Sequence, residues 1–314
     1  MTTLLITHPA FVHHETGEGH PERPDRMRAI DRVLQDARFS ELARREASLR
    51  PDDLDFVALA HRKDYVQGLS RLAEQIKDGH QHIDDDTVVS PGSWEAARRG
   101  VSAGLDAVDQ VVRGDVSNAF CQVRPPGHHA ESNRALGFCL FNNIAIAAHY
   151  ARAKHGLERL AVVDFDVHHG NGTQQIFWSD KNLFYGSTHQ MPLFPGTGAL
   201  QETGVGNIFN APLRAGDGRD NFEEAFRDRI LGPLHNFSPD MVMISAGFDG
   251  HHRDPLGGLE LVEDDFRWAT EALADVARRH ANGRMVSMLE GGYDLQGLAR
   301  SVAAHVSVLM QTGA

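Results

Sequence analysis

Short runs that are apolar on both faces recur along this chain, and helical patterns separate them. The runs cover residues 3–7, 118–123, 160–164, 183–186, 241–245 and 285–289. Strands of this kind belong inside a parallel sheet that is covered on both sides. Between them, apolar residues fall at helical spacing: Met27, Ile30, Val33 and Leu34; then Trp94, Ala97, Val101, Leu105, Val108 and Val112; then Phe266, Ala269, Leu273 and Val276. Helices or turns are also expected over 51–72, 141–153, 222–231 and 295–310, and Ser93 is placed to cap the long second helix. Alternation of strand and helix makes this an α/β chain. With no internal repeat, low-complexity linker or break in composition, residues 1–314 read as one domain.

Composition narrows the function. Acidic residues outnumber basic ones 43 to 31, for a formal charge of −12. That balance argues against direct nucleic-acid binding, which needs basic surface. A cationic peptide or polyamine remains compatible with it. Cys121 and Cys139 make no disulfide framework. The first residues lack a basic region followed by a long apolar run, and no stretch is long enough to span a bilayer. The expected setting is cytoplasmic, with no membrane partner; the oligomeric state is left open.

The chemistry gathers where the expected strands end. One run ends in Arg124-Pro125-Pro126-Gly127-His128-His129. Another ends in Asp164-Phe165-Asp166-Val167-His168-His169-Gly170-Asn171-Gly172. Two more end at Asp249 and at Glu290-Gly291-Gly292-Tyr293. In a parallel sheet, all carboxyl ends share one edge, where ligands bind. Asp166 and His168 share one parity on an extended chain, and Asp249 would complete a three-ligand site with an open position, as catalytic zinc prefers. Asp164 lies one step inward, placed to orient other groups. The tandem histidines supply proton transfer near neutral pH, and Tyr293 could donate to an oxyanion. These parts describe metal-assisted hydrolysis of an amide or ester. A Gly-x-Ser-x-Gly elbow and a phosphate-binding loop are both missing from the sequence. His169 has the wrong parity for a ligand and reads as structural. His13, His14, His251 and His252 read as rim residues. Cys139 reads as an inert buried thiol, and Asp84-Asp85-Asp86 as a solvated turn. Arg26 reads either as a cavity lining or as a helix-surface ion pair.

The chain resembles the histone deacetylase family, more closely its class II type and the bacterial deacetylase-like amidohydrolases. The matching segments are Gly19-His-Pro-Glu-Arg-Pro-Asp-Arg26, Arg124-Pro-Pro-Gly-His-His-Ala130, Gly137-Phe-Cys-Leu-Phe-Asn-Asn143, Asp164 to Thr173, Leu193-Phe-Pro-Gly-Thr-Gly198, Ile244 to Asp249 and Leu289 to Asp294. The resemblance implies an arginase-like, three-layer α/β/α fold around a mostly parallel sheet of about eight strands, near the upper end of usual sheet sizes. It implies one zinc ion on Asp166, His168 and Asp249. It makes His129 the general base and acid, with His128 beside it, held by Asp164, and makes Tyr293 the oxyanion donor. It implies a structural potassium ion on Asp164, Ser187 and the backbone of Asp166, His168 and Thr188. Phe138 and Phe194 would flank a channel for an acyl-lysine-like chain, and the Gly137 carbonyl would accept the substrate amide proton.

Asn171 stands where class I members have Asp, so His129 should be less basic and more often neutral, as in class II. A two-manganese arginase site would need Asp at Gly170, so one metal is expected. The function implied is a zinc-dependent amidohydrolase acting on an acylated lysine-like amine or a related small amide. The nearest alternative is an acetylpolyamine amidohydrolase, against which Leu256 counts, because polyamine-selective relatives carry Glu there. A non-catalytic acyl-lysine reader or metal scaffold is the remaining alternative.

Overall fold

The structure, a computed structural model, describes residues 2–313. All the doubly apolar runs form strands. In chain order the elements are β1 (Thr3–Thr7), α1 (Asp25–Val33), β2 (Ala43–Glu46), α2 (Asp53–Ala60), α3 (Lys63–Gln75), the small hairpin β3 (Gln81–His82) and β4 (Val88–Val89), α4 (Ser93–Arg113), β5 (Asn118–Cys121) and α5 (Asn143–His155). There follow β6 (Leu160–Asp164), α6 (Asn171–Phe177), β7 (Leu183–Gln190), β8 (Ile208–Leu213), α7 (Arg219–Phe226), α8 (Gly232–Phe237), β9 (Met241–Ala246), α9 (Glu263–His280), β10 (Met285–Leu289) and α10 (Leu295–Thr312).

The main sheet has eight strands in the order β2-β1-β5-β10-β9-β6-β7-β8, and every pairing in it is parallel. β5, β10, β9 and β6 are buried along their whole length, as two-faced apolar strands must be. α1, α10 and α9 pack side by side on one face, and α2, α5 and α4 on the other. The expected helical stripes supply these contacts: Val101, Leu105 and Val108 of α4 and Phe266, Leu273 and Val276 of α9 are buried.

This strand order positions the site. The chain builds β6 to β8 outward, then returns to insert β9 and β10 between β5 and β6. The four strands that end in unusual polar loops are therefore the four central neighbours. Their ends are level, with Asp164 opposite Ser245 and Leu289 opposite Ala246.

The sequence pattern does not reveal β2 and β8, and both are edge strands. Ala43-Arg44-Arg45-Glu46 is mostly exposed, and β8 carries Pro212. An edge needs no second apolar face and tolerates charge and proline. Two helix boundaries also differ. Gly92, not Ser93, holds the N-cap position of α4; the Ser93 hydroxyl instead bonds Ser90 N (2.7 Å) and His14 Nδ1 (2.7 Å). The helix expected over 222–231 is joined to α8 through a π turn at Arg227–Leu231. Among the described residues no helix is long and apolar enough to cross a membrane.

Candidate active site

Asp166 and His168 leave β6 together, and Asp249 arrives from the end of β9. One ligand atom from each lies within 4.8 Å of the other two, and all three residues are buried. His168 Nδ1 is 3.2 Å from Asp166 Oδ1 and 3.1 Å from Asp249 Oδ2. Backbone amides fix the carboxylates: Val167 N donates to Asp249 Oδ1 (2.9 Å) and Gly291 N to Asp166 Oδ2 (2.8 Å). A Cβ on Gly291 would collide with Asp249 Oδ2, so only glycine lets the β10 loop approach this closely.

Two buried carboxylates and an imidazole make a donor set that suits zinc. Burial, then the charge of Asp166, push the Asp249 carboxyl up to about 7. Burial opposes charge on His168, yet its bonds to Asp166 and Asp249 outweigh that and push it to about 10. Both shifts express one fact: this pocket is electrostatically short of a cation.

The histidine pair sits beside it, with ring centroids 4.0 Å apart. His128 Nδ1 lies 3.0 Å from Asp164 Oδ2, which also accepts from Tyr185 OH (3.0 Å). Burial disfavours the His128 charge, but Asp166 and Asp164 overcome it and push the pKa to about 10. His129 behaves oppositely. Burial, then the charges of His128 and His168, hold it well below the usual range. Its Nδ1 lies 2.8 Å from Asn171 Oδ1. The expected neutral imidazole agrees with this direction. Buried Glu290 fastens the segment, accepting from Gly127 N (2.6 Å) and His128 N (3.1 Å).

The residues expected to flank a channel lie beside His129 and Tyr293. The Phe194 ring is 5.0 Å from that of His129 and is 39% exposed, while the Phe138 ring meets Tyr293 edge-on at 5.8 Å. Phe138 has φ 68°, uncommon for a bulky residue, and its N–H is held by Thr87 Oγ1 (3.0 Å). At Gly137, a Cβ would lie 2.5 Å from His129 Cδ2, so the backbone itself forms that wall. Tyr293 is buried; burial, then Asp249, raise its phenol well above 10. Asp254 links the Tyr293 loop to Leu256, accepting from Tyr293 N (2.6 Å) and Leu256 N (3.0 Å). Asp164 and Ser187 are register partners across β6 and β7, with buried Thr188 next in the chain.

The structure decides between the two readings of Arg26 and corrects those of His14 and His251. Arg26 is not at a helix surface: it is fully buried and donates to Gly292 O (2.7 Å), Glu290 O and Glu22 Oε1 (3.0 Å). His14 and His251 are buried rather than on a rim, whereas His13 and His252 are exposed. His169 is structural, as its parity suggests, bonding Thr197 Oγ1 (2.7 Å) and Gln174 Oε1 (3.0 Å) under the Phe194 loop. Burial pushes the Cys139 thiol well up, in line with an inert cysteine. Residue-by-residue reading missed Glu290, Asp254, Tyr185 and Glu131, each of which orients a group already singled out. Glu290 had one usable signal, a lone acid at the end of an apolar strand.

The family model for the histone deacetylase domain matches residues 20–309. A rice (Oryza sativa) protein, Histone deacetylase 10, chloroplastic, is 38% identical over 96% of this chain and 71% of its own. The Histone deacetylase-like amidohydrolase of Pseudomonas aeruginosa is 36% identical over 92% of this chain and 77% of its own. The crystal structure of the HDA15 HD domain superposes with a TM-score of 0.92, at 34% identity, over 99% of this chain and 88% of that one. The fold and these matches define a deacetylase-type α/β domain. The chain belongs to the histone deacetylase family.

Proposed function

We propose that this protein is a zinc-dependent deacylase that hydrolyses the acyl-amide of a lysine-like amine. The observation that carries the reading is the buried Asp166, His168 and Asp249 triad within 4.8 Å, with the His129 ring 5.9 Å from that of His168. Zinc held by those three residues would polarise the substrate carbonyl and acidify water. His129, neutral at Nε2, takes the proton from the attacking water and later passes it to the leaving amine. His128 stays protonated against Asp164 and adds positive charge beside the developing oxyanion. Tyr293 keeps its phenol proton and donates it as a hydrogen bond to the same oxygen. Phe138 and Phe194 hold the aliphatic stem, and the Gly137 carbonyl accepts the substrate N–H. Asp164, Ser187 and the neighbouring backbone carbonyls would hold a potassium ion that stiffens the β6 and β7 ends.

Leu256 stands where polyamine-selective relatives carry an acid, which favours acyl-lysine over acetylpolyamine. Turnover of an acetyl-lysine peptide tests the reading. Activity should vanish on chelation, return with zinc, and exceed that on acetylspermidine in kcat/KM. Turnover that survives complete metal removal would sink the zinc assignment; preference for acetylspermidine would move the substrate to the polyamine class.

A further inference from the structure

Asn171 meets His129 through an amide, and an amide has two ends. If Oδ1 faces His129, Nδ1 carries the ring proton and Nε2 is left as a base. If Nδ2 faces it, the tautomer reverses and Nε2 is already protonated. Asn171 alone does not choose between these.

The choice is made on its far side. Asn171 Nδ2 lies 2.8 Å from Glu131 Oε1 and 3.4 Å from His129 O. Both are acceptors. The Glu131 carboxylate accepts from both arms of the Arg134 guanidinium, at 2.8 and 2.9 Å. Its backbone is fixed as well: Glu131 N donates to Arg134 O (3.0 Å), and His61 Nδ1 meets Glu131 O at 2.9 Å. His61 is fixed in turn, because its Nε2 accepts from Asn142 N (2.9 Å) at the start of α5. A carboxylate offers no donor, so the amide cannot turn over without setting oxygen against oxygen.

We propose that Glu131 is a positioning residue for the deacylation. It locks the Asn171 amide in one orientation and so keeps the His129 proton on Nδ1. This assignment rests on the role of His129 proposed above, and it supplies what Asn171 lacks relative to an Asp. An Asp is acceptor-only by itself; an Asn becomes so only when an acceptor behind it holds its amide nitrogen, and Glu131 is the nearer of the two here.

E131Q tests this with almost no change of shape, because the new amide offers a donor as readily as an acceptor. A fully reversed tautomer costs a catalytic triad about 10⁴-fold. A mixed population loses kcat only in proportion to its reversed fraction, so E131Q should lower kcat by roughly twofold to tenfold, with KM little changed. In an N171D background the acceptor is fixed without help, so adding E131Q should leave kcat unchanged or raise it by removing a repulsion between acids. Equal losses in both backgrounds would mean a merely structural residue, and an unchanged kcat in E131Q would overturn the proposal. Imidazole ¹⁵N spectra of the zinc-loaded protein, with His129 assigned by its absence in H129A, give a readout without substrate. Wild type should show a protonated Nδ1 and E131Q a growing Nε2–H population; an unaltered tautomer in E131Q overturns the proposal. If the tautomer shifts but wild type hydrolyses no acyl-lysine, the proposed function fails and the positioning role stands.

Discussion

Tyr293 has its backbone and its ring committed elsewhere, which leaves only the phenol for chemistry. Its N–H goes to Asp254, its ring packs edge-on to Phe138, and the Arg26 guanidinium lies 5.0 Å from the ring centroid. Burial and then Asp249 keep the phenol protonated far above neutral pH. Y293F should therefore lower kcat by ~10²–10³-fold, the usual loss for one oxyanion donor, while KM and the melting temperature stay close to wild type. An acetyl-lysine turnover assay decides it, and undiminished kcat would remove Tyr293 from the mechanism. At this scale the groups that gather at the candidate site were legible in the sequence. Parity puts Asp166 and His168 on one side, and the strand-end rule brings Asp249 and Tyr293 to them. The residues that aim those groups were not legible. Glu131, Asp254 and Glu290 act on groups that lie 40, 39 and 163 positions away, and no local spacing encodes such pairs.

At the scale of elements, the site depends on how closely β10 approaches β9 and β6. Leu289 is level with Ala246, so the loop that follows passes directly over the triad. There Gly291 does two things: its N–H donates to Asp166, and its lack of a side chain leaves room for Asp249. In G291A the methyl must displace a carboxylate or the strand end itself. Groups that orient metal ligands typically cost 10–100-fold in metal affinity when changed, and a similar loss is expected here. Competition with a chelator measures it, with circular dichroism as the control for the fold; wild-type zinc affinity in G291A would mean the loop does not shape the centre. The central strands were legible because burial on both faces leaves no other composition open to them. The edges β2 and β8 were not, since a half-exposed strand with Arg, Glu or Pro looks like a loop. The inner pairing is therefore read easily, while the width of the sheet is known only from the structure or from family resemblance.

Across the whole molecule, burial of neutral histidines ties the fold to pH. His14 is pushed to about 3 by burial and then by Arg124, while burial first of all takes His61 and His189 to about 4 and His305 to about 3. Each would protonate near 6.5 once unfolded, so between these values the unfolded chain binds more protons and stability rises with pH. Going from pH 7 to pH 5, each histidine removes about 2 kcal/mol, or roughly 8 together. Glu290 runs the other way. Burial raises its carboxyl to about 7, so the folded state holds an extra proton as pH falls toward 4.5, which offsets about one histidine. Asp249, raised to about 7, and His128 and His168, raised to about 10, run the same way as Glu290, while the lowered His129 and His169 run with the four histidines, so the balance remains a loss of stability on acidification. Urea unfolding should therefore show a fall in midpoint from pH 7 to pH 5. His305 isolates one contribution, because its ring bonds only Thr270 Oγ1 (2.7 Å) and Ser287 Oγ (2.8 Å), and burial alone shifts it. H305F will cost stability at pH 7 through those two hydroxyls, but its loss between pH 7 and pH 5 should be smaller than wild type's by about 2 kcal/mol. Parallel pH profiles for the two proteins would mean that His305 is not held neutral, and the acid sensitivity would then have to arise elsewhere.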